Sequence, residues 1–320
     1  MTNFPLLKES QAWLDTGSLP EPLPSRLAVG WSGGADSTAL LLALAGAGYD
    51  VHAWHVDHAW HQSSGEQSEQ LAEQAALWGI PFSSVRLETS PGSNREAVAR
   101  SGRYQAFHQL SQEQGLTALC LAHHRNDQAE TVFMRMLQGA GVQGIRGMHQ
   151  VRLRDGLKIF RPLLHLSRSE LVTSLKNAEV TWLDDISNSD MTLWRNRLRK
   201  QVFPAMEASG IDPTELFLRW QRQAVIISAE INSEIDQIHL QCDATNCSLP
   251  WREWEGLPST MRAYLLQRMM QRLFGEGSVA GRRHILLVEQ WMQQGGFGGL
   301  DLSRSRIMRK DGRLYLKRKT

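Results

Sequence analysis

Between residues 27 and 138 the hydrophobic period switches repeatedly from that of a strand to that of a helix, and few folds accept such an alternation. LAVGWS (27–32) reads as a buried strand and 37–47 as a helix. VHAWHVDH (51–58) is the next strand, followed by a helix over 65–78 that stops at Gly79. FSSVRL (82–87), a helix over about 94–114, TALCLAHH (117–124) and a helix over about 126–138 continue the series. Apolar strands that alternate with helices predict a parallel sheet with helices on both faces, an α/β nucleotide-binding architecture.

The pattern breaks at GAGVQGIRG (139–147), whose four glycines read as a loop. A short two-strand element over 151–161 and a helix starting near Ser167 follow. From Asp212 the style changes: Leu216, Trp220, Ala224, Ile227, Ile231, Ile235 and Ile238 recur at helical spacing, predicting a long amphipathic helix. Two more helices, about 258–274 and 280–293, precede an alternating stretch around Asp311 and Gly312 that predicts a β-hairpin. The expected organisation is a catalytic α/β domain over residues 1–208 and a second, mainly helical domain over 209–320 that ends in the hairpin.

Charge separates the same two parts. Residues 1–190 carry 15 Lys and Arg against 20 Asp and Glu, a net of −5, whereas residues 191–320 carry 20 against 13, a net of +7. The second part is the one expected to attract a polyanion such as RNA. MTNFPLLKES has no charged and then apolar leader, and no apolar run has the length of a membrane span, so a cytoplasmic protein without a membrane partner is expected. Cys120, Cys242 and Cys247 form no CxxC pair, and reduced cysteines are expected.

The first strand-to-helix junction is SGGADS, residues 32–37. At the carboxyl end of a parallel strand, such a turn offers unpaired N–H groups and a positive helix end, which together bind anions. Gly33 and Gly34 let the backbone approach phosphate, and Ser32 and Ser37 add hydroxyl donors. Asp36 is the informative residue, because a carboxylate beside phosphates needs a cation between them. Asp36 therefore points to Mg²⁺ with a nucleotide triphosphate. The GxxxxGK-S/T pattern is absent, which argues against Walker-type phosphoryl transfer. A plain helix cap built from Asp and Ser is the alternative reading of the same residues.

SGGADS after a first strand resembles the pyrophosphate loop of the N-type ATP pyrophosphatases, which cleave ATP to AMP and pyrophosphate while adenylating a carbonyl oxygen. Within that superfamily, further stretches resemble the tRNA(Ile)-lysidine synthetase family. HVDHAWH (55–61) is similar to the family's segment after the second strand, with Trp60 and His61 departing from it. EAVARSGRY (96–104) carries the family's Arg-Tyr pattern at Arg103 and Tyr104. LAHHRNDQAETVFMRMLQGAGVQGIRGM (121–148) resembles AHHxDDQxET running into glycines, with Asn126 in place of the first Asp. RPLL (161–164) and WLDDISNSDMTLWRNRLR (182–199) complete the order, with Ile186 in place of a proline.

The resemblance implies ATP bound by Ser32, Gly33, Gly34, Ala35, Asp36 and Ser37, with Mg²⁺ on Asp36. It implies catalysis by Asp36 and Asp127, and recognition of cytidine or tRNA by Asp127, Glu130, Arg103, Arg195, Asn196 and Arg199. The expected reaction is ligation of L-lysine to the wobble cytidine of a tRNA(Ile) with a CAU anticodon, through an adenylated cytidine, with release of AMP and pyrophosphate. The chain ends at Thr320, just past the hairpin, and so resembles the family's short form. A homodimer is compatible with all of this, and no residue pattern fixes it.

Physical chemistry gives parts of this independently. Asp127 and Glu130 lie three apart in the first turn of a helix that Asn126 is expected to cap; that they recognise the target cytidine is what the resemblance implies, and a carboxylate is able to accept from cytosine's exocyclic amine. Complementing the helix dipole is the plainer role for the same acids. Arg195 and Arg199, with Asn196, share a helical face suited to phosphate, unless that face is only solvated. His55, His58, His61, His123 and His124 with Asp57 do not share a zinc-binding helical face, so they are expected to line a nucleotide pocket or to be satisfied at strand ends. Trp220 and Trp291 are expected in the core. A related thiolase would show paired CxxC motifs, and an amidating ligase a glutamine-hydrolysing cysteine near the N-terminus; neither occurs. A non-catalytic nucleotide- or tRNA-binding protein is the remaining alternative, motivated by Asn126.

Overall fold

Strand β1 (Arg26–Gly30) is apolar over Leu27, Ala28 and Val29, all fully buried, because it has a parallel neighbour on each side. In the computed structural model, which describes residues 5, 7–17, 19–59, 64–88, 95–183, 194–275, 278 and 280–319, those neighbours are β2 (Asp50–Asp57) and β4 (Ala118–Cys120). With β3 (Phe82–Arg86), β5 (Val151–Arg154) and β6 (Leu157–Phe160) they form a six-stranded sheet of order β3-β2-β1-β4-β6-β5. All pairs are parallel except β5 with β6 at one edge.

Alternation along the strands feeds two cores. Leu27, Val29, Val51, Ala53, Cys120 and Phe160 join α2 (Ala35–Gly46), α3 (Ser64–Trp78) and α7 (Arg168–Asn177) on one face. Ala28, Trp54, Leu119, Leu157 and Ile159 join α4 (Arg95–Gln114) on the other. The expected strand over 117–124 is shorter, since the chain leaves the sheet after Cys120 to present His123 and His124 ahead of α5 (Arg125–Leu137). Helix α7 starts as expected beside Ser167. Its capping box is complete, with Ser167 Oγ accepting from Glu170 N at 3.3 Å and Glu170 Oε2 accepting from Ser167 N at 2.7 Å.

The backbone divides into two units, Met1–Arg135 with Gly147–Trp220, and Met136–Arg146 with Gln221–Thr320. The second is built on a five-stranded antiparallel sheet of order β7-β8-β11-β10-β9. Its central pair β10 (Ser305–Lys310) and β11 (Arg313–Arg318) is the expected hairpin, turning through Asp311 and Gly312, both at positive φ. Strands β7 (Gln241–Cys242), β8 (Asn246–Pro250) and β9 (Gly299–Asp301) extend it, and α12 (Ser259–Phe274) and α13 (Arg282–Gln293) cover it.

Two expectations are corrected here. In α10 (Pro213–Asp236) the buried residues are Pro213, Phe217, Leu218, Ala224, Ser228 and Ile235, while Trp220 is 53% and Ile227 40% exposed. The first turns follow an aromatic contact of Phe217 with Phe133 and Phe203, and this rotates the buried stripe away from Trp220. Trp291 is buried as expected. Cys242 and Cys247 form a disulfide, because the β7–β8 register sets them directly opposite with Cα atoms 4.1 Å apart. Cys120 is free, and burial pushes its thiol far up, away from reactivity.

The capping box fixes the start of α7, so Ser167→Ala should destabilise the chain by about 1 kcal/mol. Urea denaturation of the two proteins measures this, and an equal midpoint would remove the cap from the account.

Candidate active site

The first unit holds a topological switch point. From β1 the chain builds β2 and β3 on one side, then crosses to β4 on the other, so the carboxyl ends of β1 and β4 diverge into a crevice. SGGADS leaves β1 there, and His123 and His124 leave β4. A cavity of about 390 Å³ occupies the crevice. Trp31, Val56, Phe107 and Leu121 form its apolar side, and Asp36, His58, Arg103, His123 and Arg168 its polar side.

The loop is held open by its own side chains. Ser37 Oγ donates to Gly34 O at 3.0 Å, accepts from Ser32 N at 3.2 Å and lies 3.1 Å from Ser32 Oγ. Gly33 sits at φ +82°, and a Cβ there would meet Leu71 Cδ2 at 2.7 Å and Leu183 Cδ1 at 2.9 Å, so only glycine fits. Gly34 caps α2 in extended conformation with no side-chain hydrogen bond, which leaves that helix end to an anion. Trp31 Nε1 donates to Thr38 Oγ1 at 3.0 Å, tying the strand end to the second turn of the helix.

Asp36 projects from the first turn of α2 with its side chain 31% exposed. Its Oδ1 is buried without a hydrogen bond, with Arg168 Nε 3.6 Å away, and its Oδ2 lies 3.6 Å from His124 Nε2. A buried carboxylate oxygen without a hydrogen bond suits a divalent cation. Among the described residues no group of three metal-ligating side chains occurs. A cation at Asp36 would take most of its ligands from phosphate and water, which is how Mg²⁺ is usually held.

Asn126 does not cap α5, which begins one residue earlier. The cap is His124: its Nδ1 accepts from Asp127 N at 3.3 Å, and its own N–H donates to Asp127 Oδ2 at 3.1 Å. Asn126 instead accepts from Arg168 N at 3.1 Å and donates to Thr214 Oγ1 at 3.3 Å. The amide therefore braces α7 and Arg168 against α5.

Asp127 and Glu130 meet Arg195 and Arg199 within one ion cluster. Arg199 donates from Nε to Glu130 Oε1 at 2.5 Å and from Nη2 to Asp127 Oδ1 at 2.6 Å. Arg195 Nε donates to Glu130 Oε2 at 2.8 Å. Asn196, on the same short helix α8 (Trp194–Arg197), is buried. The acids are neither a bare dipole complement nor a free hydrogen-bonding pair, and the arginines are not a solvated helix end. Burial pushes Asp127 up, but His124, Arg195, His123 and Arg199 outweigh it and hold the carboxyl below the usual range. Burial lowers the Arg199 guanidinium and Glu130, Asp127 and Asp36 raise it, with a net upward result.

Each expected ATP-loop residue except Gly33 lines the cavity, as does Arg103; Asp127, Glu130, Arg195 and Arg199 assemble at the α5 side, and Asn196 is buried. Spacing missed Arg168. Arg168 carried no signal beyond its place after a capping serine, whereas His58 and His123 line the cavity, one of the two roles expected of the histidines. His55 donates from Nδ1 to Trp31 O at 3.0 Å and is satisfied at its strand end. His61, Trp60, residues 184–193 and the Glu96 side chain lie outside the described residues.

A family model described as a PP-loop domain matches residues 12–206. A tRNA(Ile)-lysidine synthase of Bordetella bronchiseptica is 34% identical over 262 residues, covering 78% of this chain and 76% of that protein. One of Chlamydia felis is 30% identical over 287 residues, covering 88% and 89%. Among solved structures, a U34-tRNA thiolase from Methanococcus maripaludis with its [4Fe-4S] cluster superposes with a TM-score of 0.54 at 17% identity, covering 68% of this chain and 79% of that one. That likeness concerns the fold alone.

Burial holds His123 well below the ordinary histidine range, with Asp127 opposing and Arg161, Arg103 and Arg195 adding to the shift. In the unfolded chain it titrates near 6.5. As pH falls below about 6.5 the unfolded state takes up a proton that the folded state refuses, so stability is lost. Asp127, depressed when folded, loses its own contribution only on acidification below about 4. His123→Gln should therefore shrink the loss of unfolding free energy between pH 7.5 and 5.5. His52, His55 and His165, also lowered chiefly by burial, keep it from vanishing. Denaturant titrations at the two pH values check this, and an identical pH dependence would place the effect elsewhere.

Proposed function

The chain belongs to the tRNA(Ile)-lysidine synthases, ligases built on an ATP-using PP-loop domain, and we propose that its first unit joins L-lysine to the wobble cytidine of a CAU anticodon through an adenylated base. The observation that carries this reading is the pairing, at one switch point, of an open anion loop with Asp36 and a cluster of buried acids and arginines. An anion loop alone would serve many nucleotide enzymes. The second cluster supplies donors and acceptors for a base.

In this mechanism the SGGADS loop and the α2 N-terminus hold the β and γ phosphates. Asp36 would hold Mg²⁺, which supplies charge neutralisation on the phosphates when bound. The C2 oxygen of cytidine attacks the α phosphorus and the bond to pyrophosphate breaks. An amine of lysine then attacks C2, a C–N bond forms, the C–O bond to AMP breaks, and the amine gives up a proton. Adenylation makes the oxygen a good leaving group.

Asp127 and Glu130 accept from the exocyclic amine, which uridine lacks. Carboxylates have about four acceptor sites, so contacts with arginine leave room for a base. Arg103, Arg195, Asn196 and Arg199 bind the RNA around it. Arg168, 3.6 Å from Asp36, has the charge and position to meet a phosphate oxygen. Among the described residues no helix is long and apolar enough to cross a membrane, and a cytoplasmic setting suits a tRNA substrate.

Incubating the protein with ATP, Mg²⁺, labelled lysine and an unmodified tRNA(Ile) bearing CAU should give lysine-dependent label in RNA with release of AMP. AMP without label would keep the ATP chemistry and reassign the nucleophile or RNA. Neither product, with ATP and tRNA still bound, would favour a non-catalytic binding protein. Asp36→Ala should lower AMP formation by at least about 100-fold, since it removes electrostatic stabilisation of the transferring phosphoryl group; normal release would refute the loop assignment.

A further inference from the structure

The first unit is acidic by overall charge, yet one edge of its sheet collects arginines. On β5 the partners of Arg152 and Arg154 are Ile159 and Leu157, and directly paired residues share a face, here the face covered by α4. Helix α4 brings Arg100, Arg103 and Tyr104 to that face at i, i+3 and i+4. Arg161, just past β6, is 3% exposed. The Tyr104 ring lies at the centre, with guanidinium carbons of Arg154, Arg100 and Arg103 at 4.0, 5.4 and 5.9 Å from its centroid.

Few carboxylates meet Arg100, Arg152, Arg154 and Arg161 among the described residues. Among the ion pairs of the described residues, the one carboxylate against Arg100, Arg152, Arg154 or Arg161 is Asp155, itself exposed, 3.5 Å from Arg154. Arg161 donates from Nη1 to His149 O at 2.7 Å, and its Nε, buried, has no hydrogen bond. Burial raises Tyr104, but Arg100, Arg161, Arg103 and Arg154 together draw the phenol below its usual range, a sign of the positive potential there. Converging guanidiniums repel one another unless an anion is bound between them, and a guanidinium fork matches phosphate.

We propose that the arginine cluster around Tyr104 is a docking site for the phosphodiester backbone of the substrate RNA next to its target base. The inference rests on the reading that RNA enters the cavity, and Arg103 supplies the continuity, since it borders both the cavity and the Tyr104 ring. The strand that delivers its base to the α5 acids lays its backbone along α4 and β5. Nucleotide phosphates share this chemistry, so the test separates the two sources.

Arg100 and Arg152 are exposed, and replacing both with Gln removes charge without opening the core. A synthetic anticodon stem-loop bearing CAU is titrated against wild type and the double Gln variant at several KCl concentrations, and ATP affinity is measured beside it. The variant should bind the stem-loop about tenfold more weakly at 0.15 M salt, with a salt slope shallower by about 1 to 2 and unchanged ATP affinity. Arg100→Lys with Arg152→Lys should retain most of the slope, which a merely structural role would not produce. Binding by wild type with an unaltered slope in the Gln variant overturns the proposal while the function stands. Weakened ATP binding with intact RNA binding assigns the cluster to nucleotide phosphates and also overturns it. No binding of the stem-loop or of the whole tRNA by wild type falls on the functional reading and takes the proposal with it.

Discussion

Glu130 is the group around which the acid side of the site is built. Its side chain is 3% exposed, and removing a carboxylate from water costs several kcal/mol unless cations and hydrogen bonds replace the solvent. Both oxygens are met by arginines from 65 and 69 residues further along the chain, so the segment from Trp194 onward must return to α5. Such a cluster adds little net stability over a well-packed apolar substitute. What it fixes is geometry: Arg199 spans Glu130 and Asp127, Asp127 is locked to the backbone of His124, and His124 reaches Asp36. A charge buried in α5 thereby sets the distance from Asp127 and Glu130 to the SGGADS loop.

That arrangement needs a sheet whose strand ends diverge at the right place. Because β4 lasts three residues, Leu121 and Ala122 are free to line the cavity and the histidines face the loop after β1. Gly30 closes β1 where a Cβ would come within 2.7 Å of Leu121 Cδ2, and Gly33 turns the chain at positive φ. The glycines thus do two jobs: one lets neighbouring strand ends approach, and the other aims backbone N–H groups at a ligand.

The first unit's architecture was legible because a βα alternation has few solutions, and Asp311-Gly312 announced its turn through left-handed φ preferences. The phosphate loop was legible because glycines, hydroxyls and an acid sit within six residues. What escaped was long-range or competitive. Strands β7, β8 and β9 are too short to show a period, so neither the five-stranded sheet nor the facing of Cys242 and Cys247 could be read. The stripe on α10 was assigned by periodicity, but Phe217 packs on Phe133 and Phe203 and turns Trp220 outward. Asn126 looked like a cap, and His124 takes that role because its ring nitrogen accepts from Asp127 N as the helix starts one residue earlier, while the Asn126 amide is used by Arg168 and Thr214. Pairing of Glu130 with Arg195 and Arg199 depends on tertiary approach, which local spacing does not encode.

Charge sums do not resolve where charge is concentrated. The net of −5 over residues 1–190 and +7 over the remainder assign polyanion binding to the second part. A net charge averages over a whole surface, whereas at physiological salt a fixed charge acts over about 8 Å. On that scale Arg100, Arg103, Arg152, Arg154 and Arg161 form their own field, because a helical i, i+3 spacing and a two-residue strand spacing bring them to one face. An enzyme that must hold both a nucleotide and an RNA near buried carboxylates needs such a division. Asp127 and Glu130 carry Arg195 and Arg199 directly on them, whereas Arg100, Arg103 and Arg154 gather around Tyr104, so both signs of charge are concentrated within the first unit.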